Sequence, residues 1–273
     1  MIRLIAIDLD GTLLNDQKQI PKENIVAIQK ATEAGLKIVL CTGRPSSGTK
    51  PYFDQLGLTK EEFLILNNGC STYNSPNWEL RHAKTLDLSD VASLEALSQP
   101  FPDVYLTLTG EKDYLVLEET VPELVQADGD LVFTRVKATD LRQLEQSGQV
   151  IFQAMYMGEK EALDRFELLA RDQLAQSYSV VRSQETILEI MPKGVTKAYA
   201  LKALANDLSI SPQEVMAIGD APNDIEMLQY AGLGVAMGNA EETIKVLADK
   251  VSLTNNQAGV AHAIYQFAMT QST

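Results

Sequence analysis

Residues 7–14 read Ile-Asp-Leu-Asp-Gly-Thr-Leu-Leu and follow directly on the apolar stretch Leu4-Ile5-Ala6. An apolar run without polar alternation is the pattern of a strand covered on both faces, as in a parallel sheet. Two aspartates, Asp8 and Asp10, stand at its carboxyl end. Desolvated carboxylates are costly unless paired or bound to a cation. The placement therefore asks which other charges and donors reach the same edge.

Working outward, Pro21 and Gly35 bracket the apolar positions Ile25, Ile28, Ala31 and Ala34, which predicts a helix with proline near its start and glycine at its end. Leu36–Leu40 reads as a second buried strand, Pro45 opens another helix, and Phe63–Leu66 is a third strand ending in Asn67-Asn68-Gly69. Strand, helix, strand, helix, strand predicts a parallel sheet with right-handed crossovers.

Between 84 and 188 the texture changes. Tyr105–Thr109, Tyr114–Leu117, Leu131–Thr134 and Val150–Tyr156 predict strands of a more antiparallel sheet, and Glu159–Ala175 predicts a helix. Asp128-Gly129-Asp130 reads as a loop between two of those strands. From about residue 190 the first rhythm returns: a helix over 195–207, a strand Glu214–Ile218 ending in Gly219-Asp220, a helix from 222 and a strand Gly234–Met237. Asn239-Ala-Glu-Glu242 resembles a capping box, and Val251–Leu253 reads as a last short strand before a C-terminal helix. The expected fold is α/β: a Rossmann-like parallel sheet core from 1–83 and 189–273, with an inserted α+β domain at 84–188.

Of the 273 residues 45% are hydrophobic, enough for a sizeable core, and the net charge is −14. A chain this acidic is a poor partner for nucleic acid, whose binding rests on Lys and Arg displacing counterions. The two cysteines, Cys41 and Cys70, form no CxxC and end apolar runs, so they read as small buried residues rather than a disulfide or zinc site. The N-terminal apolar run is cut short at Asp8, which fits no signal peptide, and no run approaches a membrane span. A cytoplasmic protein with neither nucleic acid nor membrane as partner is expected. Gly232-Leu-Gly234-Val-Ala-Met-Gly238 has the wrong spacing for a dinucleotide fingerprint, and its second glycine enters a strand instead of leaving one. His82 and His262 accompany no nucleophile elbow, so a histidine-based triad is not expected.

In an open parallel sheet, sites form outside the carboxyl ends of the strands. Four such ends carry polar clusters: Asp8 to Thr12, Thr42-Gly43-Arg44, Asn67-Asn68-Gly69, and Gly219-Asp220-Ala-Pro-Asn223-Asp224. Lys197, in the first turn of a preceding helix, can point to the same edge. Together they would gather four carboxylates, Asp8, Asp10, Asp220 and Asp224. Two unit charges ~5 Å apart repel by about 3 kcal/mol at an effective dielectric of ~20, so the cluster needs a cation. Oxygen ligands favour a hard ion, and a partly hydrated Mg²⁺ fits best. The Thr42 hydroxyl, Gly43 amide, Lys197 ammonium and Asn223 amide are donors suited to a phosphate. The set reads as a carboxylate nucleophile facing a metal-bound phosphoryl group. Arg44 reads either as a substrate contact or as the partner of an acidic neighbour, and Asn67 and Asn68 either as a turn or as part of the site. Lys193 reads as a solvated lysine.

At these residues the chain resembles the haloacid dehalogenase superfamily of phosphotransferases. Its first motif matches Asp8 to Leu13, its second Thr42, its third Lys197 and its fourth Gly219 to Asp224, in the expected order. The insertion resembles the superfamily's type IIB cap, and Asn67-Asn68-Gly69 with Gly234 to Ala240 brings the chain nearest the Cof-type sugar-phosphate phosphatases. The resemblance implies Asp8 as nucleophile and Asp10 as the acid and base. It implies Mg²⁺ on the Asp8 side chain, the Asp10 carbonyl and Asp220. Thr42, Gly43, Lys197, Asn223 and the Leu9 amide would hold the phosphate, while Asp224 would orient Lys197 or a metal-bound water. The implied substrate is a small phosphorylated metabolite selected by the cap. A phosphomutase built on the same nucleophile, which would need a bisphosphate activator, and a non-catalytic sugar-phosphate binding protein are the alternatives.

Overall fold

In the computed structural model, which describes residues 1–75 and 77–269, the chain forms two compact units. One comprises Met1–Gly43, Lys50–His82 and the described residues from Thr196 onward; the other comprises Arg44–Thr49 and Ala83–Val195.

The first unit is built on an eight-stranded sheet. Its strands in the first part of the chain are β1 (Leu4–Asp8), β2 (Lys37–Cys41), β3 (Phe63–Leu66), β4 (Ser71–Asn74) and β5 (Glu79–Ala83). Across the sheet the order is Lys250–Val251, Leu233–Ala236, Val215–Gly219, β1, β2, β3, β4, β5. Every pairing from Lys250–Val251 to β3 is parallel, and β4 returns antiparallel to β3. The central strand is apolar throughout because both of its faces are covered. Leu4 and Ala6 pack with Leu201, Leu204 and Met227 on one side, while Ile5 and Ile7 pack with Ile28, Leu40, Val260 and Ile264 on the other. The register sets Asp8 beside Cys41 and Ile7 beside Ile218, so the segments after β1, β2 and Val215–Gly219 leave the same edge.

A buried carboxylate sits at the opposite end of β3. Glu62 accepts a hydrogen bond from the Ile38 amide at 2.6 Å, yet burial pushes its carboxyl up from the ordinary 4.5 to about 7. A folded-state value above the unfolded one means that the native state binds the extra proton, so stability falls as pH rises from about 4.5 through about 7. Glu62→Gln is therefore expected to gain on the order of 2 kcal/mol over the wild type above that window and nothing below it, measured by urea melts across pH.

The second unit carries a six-stranded sheet in the order Tyr178–Gln184, Ile187–Pro192, Ile151–Met157, Tyr105–Gly110, Tyr114–Val116, Lys137–Ala138. Helices Leu88–Ser98, Leu141–Ser147 and Lys160–Ser177 cover one face through Leu94, Leu144, Leu163 and Phe166, packed on Leu106, Leu108, Tyr156 and Leu188.

Three local expectations are corrected. Leu131–Thr134 is not a strand, and Asp128-Gly129-Asp130 is not a loop: a helix runs over Glu123–Leu131 and unwinds through a turn. The buried positions Val125, Gly129, Val132 and Val136 recur at helical spacing, whereas Leu131 and Phe133 face outward. Asn239 caps no helix. The helix Glu242–Lys245 starts after Glu241 without a side-chain cap, because the Asn239 amide is held elsewhere, as described below. Among the described residues, no helix is long and apolar enough to cross a membrane.

Candidate active site

Two of the segments at the central sheet edge, the end of β1 and the turn after Val215–Gly219, bring Asp8, Asp220 and Asp224 together, with one carboxylate oxygen from each inside a span of 4.8 Å. The Lys197 ammonium stands among them and donates to Asp8 Oδ1 and to Asp224 Oδ1, both at 2.7 Å. Lys197, Asp8 and Asp224 are all buried. Lys197 reaches this place from the first residue of the helix Lys197–Asp207, which starts cleanly because the Thr196 hydroxyl accepts from the Tyr199 amide.

Each carboxylate has a different set of contacts. Asp224 spends its second oxygen on the Asp220 and Ala221 amides, at 3.0 and 3.1 Å, so it both shapes the turn and holds Lys197. Asp220 Oδ1 accepts from the Thr12 hydroxyl at 2.8 Å, which is the brace that threonine supplies to the turn after β1. Asp8 Oδ1 is held by Lys197, and Asp8 Oδ2 is buried with no hydrogen-bond partner. A buried bare carboxylate oxygen is an expensive feature for a merely structural aspartate.

The electrostatics match this geometry. Burial, then the Asp224 charge, pushes the Asp8 carboxyl well above its ordinary value, against the pull of Lys197. Burial and Asp224 together push Asp220 up to about 6. Burial works against the Lys197 ammonium, but Asp224 and Asp8 outweigh it and hold its proton more tightly than usual. Three carboxylates against one ammonium leave an excess of negative charge, which a divalent cation would neutralise. The bare Asp8 oxygen and the neighbouring Asp220 carboxylate supply the hard oxygen ligands that Mg²⁺ takes, so the residues fit the ion.

Gly11 has φ +80°, and a Cβ built on it would lie 2.3 Å from Asp220 Oδ2. Only glycine permits this turn. Gly11→Ala is expected to cost about 1–2 kcal/mol in backbone strain alone. It should also displace Asp220, raising the Mg²⁺ concentration needed for half-maximal thermal protection.

The remaining sequence candidates fall into two groups. Asn223 joins the edge through its amide, which donates to Asn68 Oδ1 at 3.0 Å. The Thr42 amide donates to the Ile65 carbonyl and its own carbonyl accepts from the Asn68 amide, fixing Thr42-Gly43 beside β3. Asn67 and Asn68, at φ 52° and 53°, make the turn, and Asn68 in addition holds Asn223. The Leu9 carbonyl accepts from the Leu14 amide, closing the loop after β1.

The Asp10 carboxylate does not enter the cluster: it pairs with Lys18 at 2.6 Å, so three side chains gather rather than four. Arg44 belongs to the second unit, where its guanidinium donates to the Leu131 carbonyl at 2.8 Å and the Gly48 carbonyl at 3.3 Å. Lys193 likewise donates to a backbone carbonyl, that of Ala175. Cys41 and Cys70 are buried and form no disulfide. His262 contacts Ser252, whose hydroxyl already donates to the Gly259 carbonyl, so the pair offers no activated serine.

Two contributors were not singled out as site residues in the sequence. Asn239 donates to the Gly11 carbonyl at 2.9 Å and to Asp220 Oδ2 at 3.4 Å, and its position just past the strand Leu233–Ala236 is the signal that could have found it. Lys18 carries no such signal, because only the fold of the loop after β1 brings it to Asp10.

The profile of the haloacid dehalogenase-like hydrolases matches residues 5–264. Phosphatase YwpJ of Bacillus subtilis (strain 168) is 33% identical over 285 residues, covering 96% of this chain and 98% of its own. The 5-amino-6-(5-phospho-D-ribitylamino)uracil phosphatase YcsE of the same organism is 32% identical over 269 residues, covering 98% and 96%. Among solved structures, a haloacid dehalogenase-like hydrolase from Bacteroides thetaiotaomicron has a TM-score of 0.86 at 30% identity, covering 97% of this chain and 99% of its own.

Proposed function

The chain belongs to the haloacid dehalogenase-like hydrolase family, and from that premise we propose that it is a Mg²⁺-dependent phosphatase of sugar and polyol phosphates that carries the phosphoryl group on Asp8. At the coarser level it is a phosphoric monoester hydrolase acting on small phosphorylated substrates. The observation that carries the finer reading is the pair of Asp8 oxygens: Oδ1 is fixed by Lys197, and Oδ2 is buried without a partner. The named substrate of YcsE, a phosphorylated ribityl compound, supports a polyhydroxylated alcohol as leaving group.

In the first step Asp8 Oδ2 bonds to phosphorus, the bond from phosphorus to the alcohol oxygen breaks, and Asp10 delivers a proton to the departing oxygen. In the second step water attacks the same phosphorus, Asp10 takes its proton, and the bond to Asp8 breaks to give inorganic phosphate. Lys197, the Asn223 side-chain amide, the Thr42 hydroxyl and the Gly43 and Leu9 amides bind the phosphoryl oxygens as charge develops on them. Asp8, the Asp10 carbonyl and Asp220 would hold Mg²⁺, which when bound neutralises phosphoryl charge. Asp224 keeps the Lys197 ammonium in line. In this reading the second unit is the cap that selects the substrate.

The test is phosphate release from a panel of sugar, polyol, nucleoside and aryl phosphates, each with Mg²⁺ and with chelator. Release that requires Mg²⁺ and favours polyhydroxylated leaving groups is expected. A protein that binds Mg²⁺ but releases phosphate from none of them would contradict it, and turnover only with a bisphosphate activator would mark a phosphomutase.

A further inference from the structure

The loop that leaves β1 carries Asp10 and is held by side chains from three distant parts of the first unit. Asn24, in the helix Lys22–Glu33, donates its amide to the Leu13 carbonyl at 3.3 Å. Asn255, in the short 3₁₀ turn Asn255–Gln257, donates to the Leu14 carbonyl and to Asp16 Oδ1, both at 3.1 Å. Its main-chain amide donates to Asn239 Oδ1 at 2.9 Å, and Asn239 in turn holds the Gly11 carbonyl. Asn24 and Asn255 are buried. The backbone of Leu14 also forms a parallel bridge with that of Asp10, so Asn255 reaches Asp10 through a single residue.

A buried loop needs partners for its carbonyls, and any donor would satisfy them. Asn255 does more than that. Its side chain grips the residue bridged to Asp10, and its main-chain amide grips the side chain that fastens Gly11, the residue after Asp10. The loop is thus pinned on both sides of Asp10, and Asn255 joins the two pins. Resting on the phosphatase reading above, in which Asp10 delivers a proton to the departing oxygen, we propose that Asn255 is a positioning residue: it fixes the backbone that aims the Asp10 carboxyl at the leaving group. A general acid works only within hydrogen-bond reach of the atom it protonates, and a displacement of ~1 Å caused by a remote change costs up to about a hundredfold in rate. The side-chain bonds of Asn255 go to Leu14 and Asp16 and not to Asp8 or Lys197, so its loss bears on proton delivery and spares the nucleophile.

The experiment compares kcat/KM of wild type, Asn255→Ala and Ser252→Ala at saturating Mg²⁺. The substrates are an activated aryl phosphate and whichever of a hexose phosphate and a pentitol phosphate the wild type hydrolyses faster. kcat/KM reports the steps up to departure of the alcohol, and an alkyl oxygen needs a proton to leave whereas an activated aryl oxygen does not. Asn255→Ala should lower the value for the alkyl phosphate about tenfold or more and that for the aryl phosphate about twofold or less. Ser252→Ala removes the hydroxyl that donates to the Gly259 carbonyl, which loosens the same C-terminal stretch without touching the loop. It should lower Tm and leave the ratio of the two substrates unchanged. Should alanine at 255 prevent folding, Asn255→Ser is the second variant, and the same selective loss is expected of it. Equal losses on both substrates, unchanged values, or the same selective loss in Ser252→Ala would overturn the inference while leaving the phosphatase reading intact. A wild type that releases phosphate from neither alkyl phosphate would overturn that reading and this inference with it.

Discussion

Asp8→Asn is expected to lower phosphate release by about 10⁴-fold or more and to leave the protein folded. Loss of a covalent nucleophile has effects of that size, because no neighbouring group replaces the bond it makes. Asparagine keeps the shape of the side chain and can still accept at Oδ1 from Lys197, whose second bond to Asp224 is untouched. It also removes one of three clustered carboxylates, a group that burial first and the Asp224 charge second hold well above its ordinary value. Thermal melts of the variant should therefore match or exceed the wild type while steady-state assays fall to background. A variant that retains a tenth of the activity would remove Asp8 from the reaction.

Lys197→Met should be the most damaging single change to the fold among the site residues. Lys197 is buried, and its ammonium donates to both Asp8 and Asp224. Breaking a buried ion pair by removing one partner costs about 3–5 kcal/mol, since the charge left behind stays desolvated. Here two charges are left behind. The loss should shrink as pH falls, because burial already holds the Asp8 carboxyl high and protonating it removes its desolvation penalty, so that the native state binds more protons than the unfolded chain. Urea melts over a pH series read both the size and the direction. Added Mg²⁺ should recover part of the stability without restoring phosphate release.

The parts of this molecule legible in its sequence are those where local pattern and tertiary demand coincide. β1, β2 and β3 announce themselves as apolar runs because both sheet faces are covered, and the polar clusters that follow them mark one edge. Asp8, Asp220, Asp224 and Lys197 could be named because each closes or opens such an element. The strand Tyr178–Gln184 was not visible: it is half-buried and interrupts its alternation at a bulge near Arg182. β4 and β5 were equally silent, since Ser71-Thr-Tyr-Asn and Glu79-Leu-Arg-His-Ala lack the density of branched apolar residues that marks a strand. The stretch Leu131–Thr134 shows the reverse failure, where three apolar residues in a row imitate a strand while the spacing of Val125, Gly129 and Val132 is helical. The pairing of Lys18 with Asp10 and the hold of Asn255 on the Leu14 carbonyl are consequences of three-dimensional register, which no local window contains.

The central claim is that the phosphoryl group passes through Asp8, and trapping it there tests the claim most directly. An activated aryl phosphate needs little proton help to leave, so in Asp10→Asn the first step still runs while the second, which needs a base for water, stalls. Acid quenching followed by peptide mass spectrometry should then find a phosphoryl group on the peptide carrying Asp8, absent when Asp8 is replaced by asparagine. A phosphoryl group on any other residue, or steady turnover with Asp8 never modified, would contradict the account.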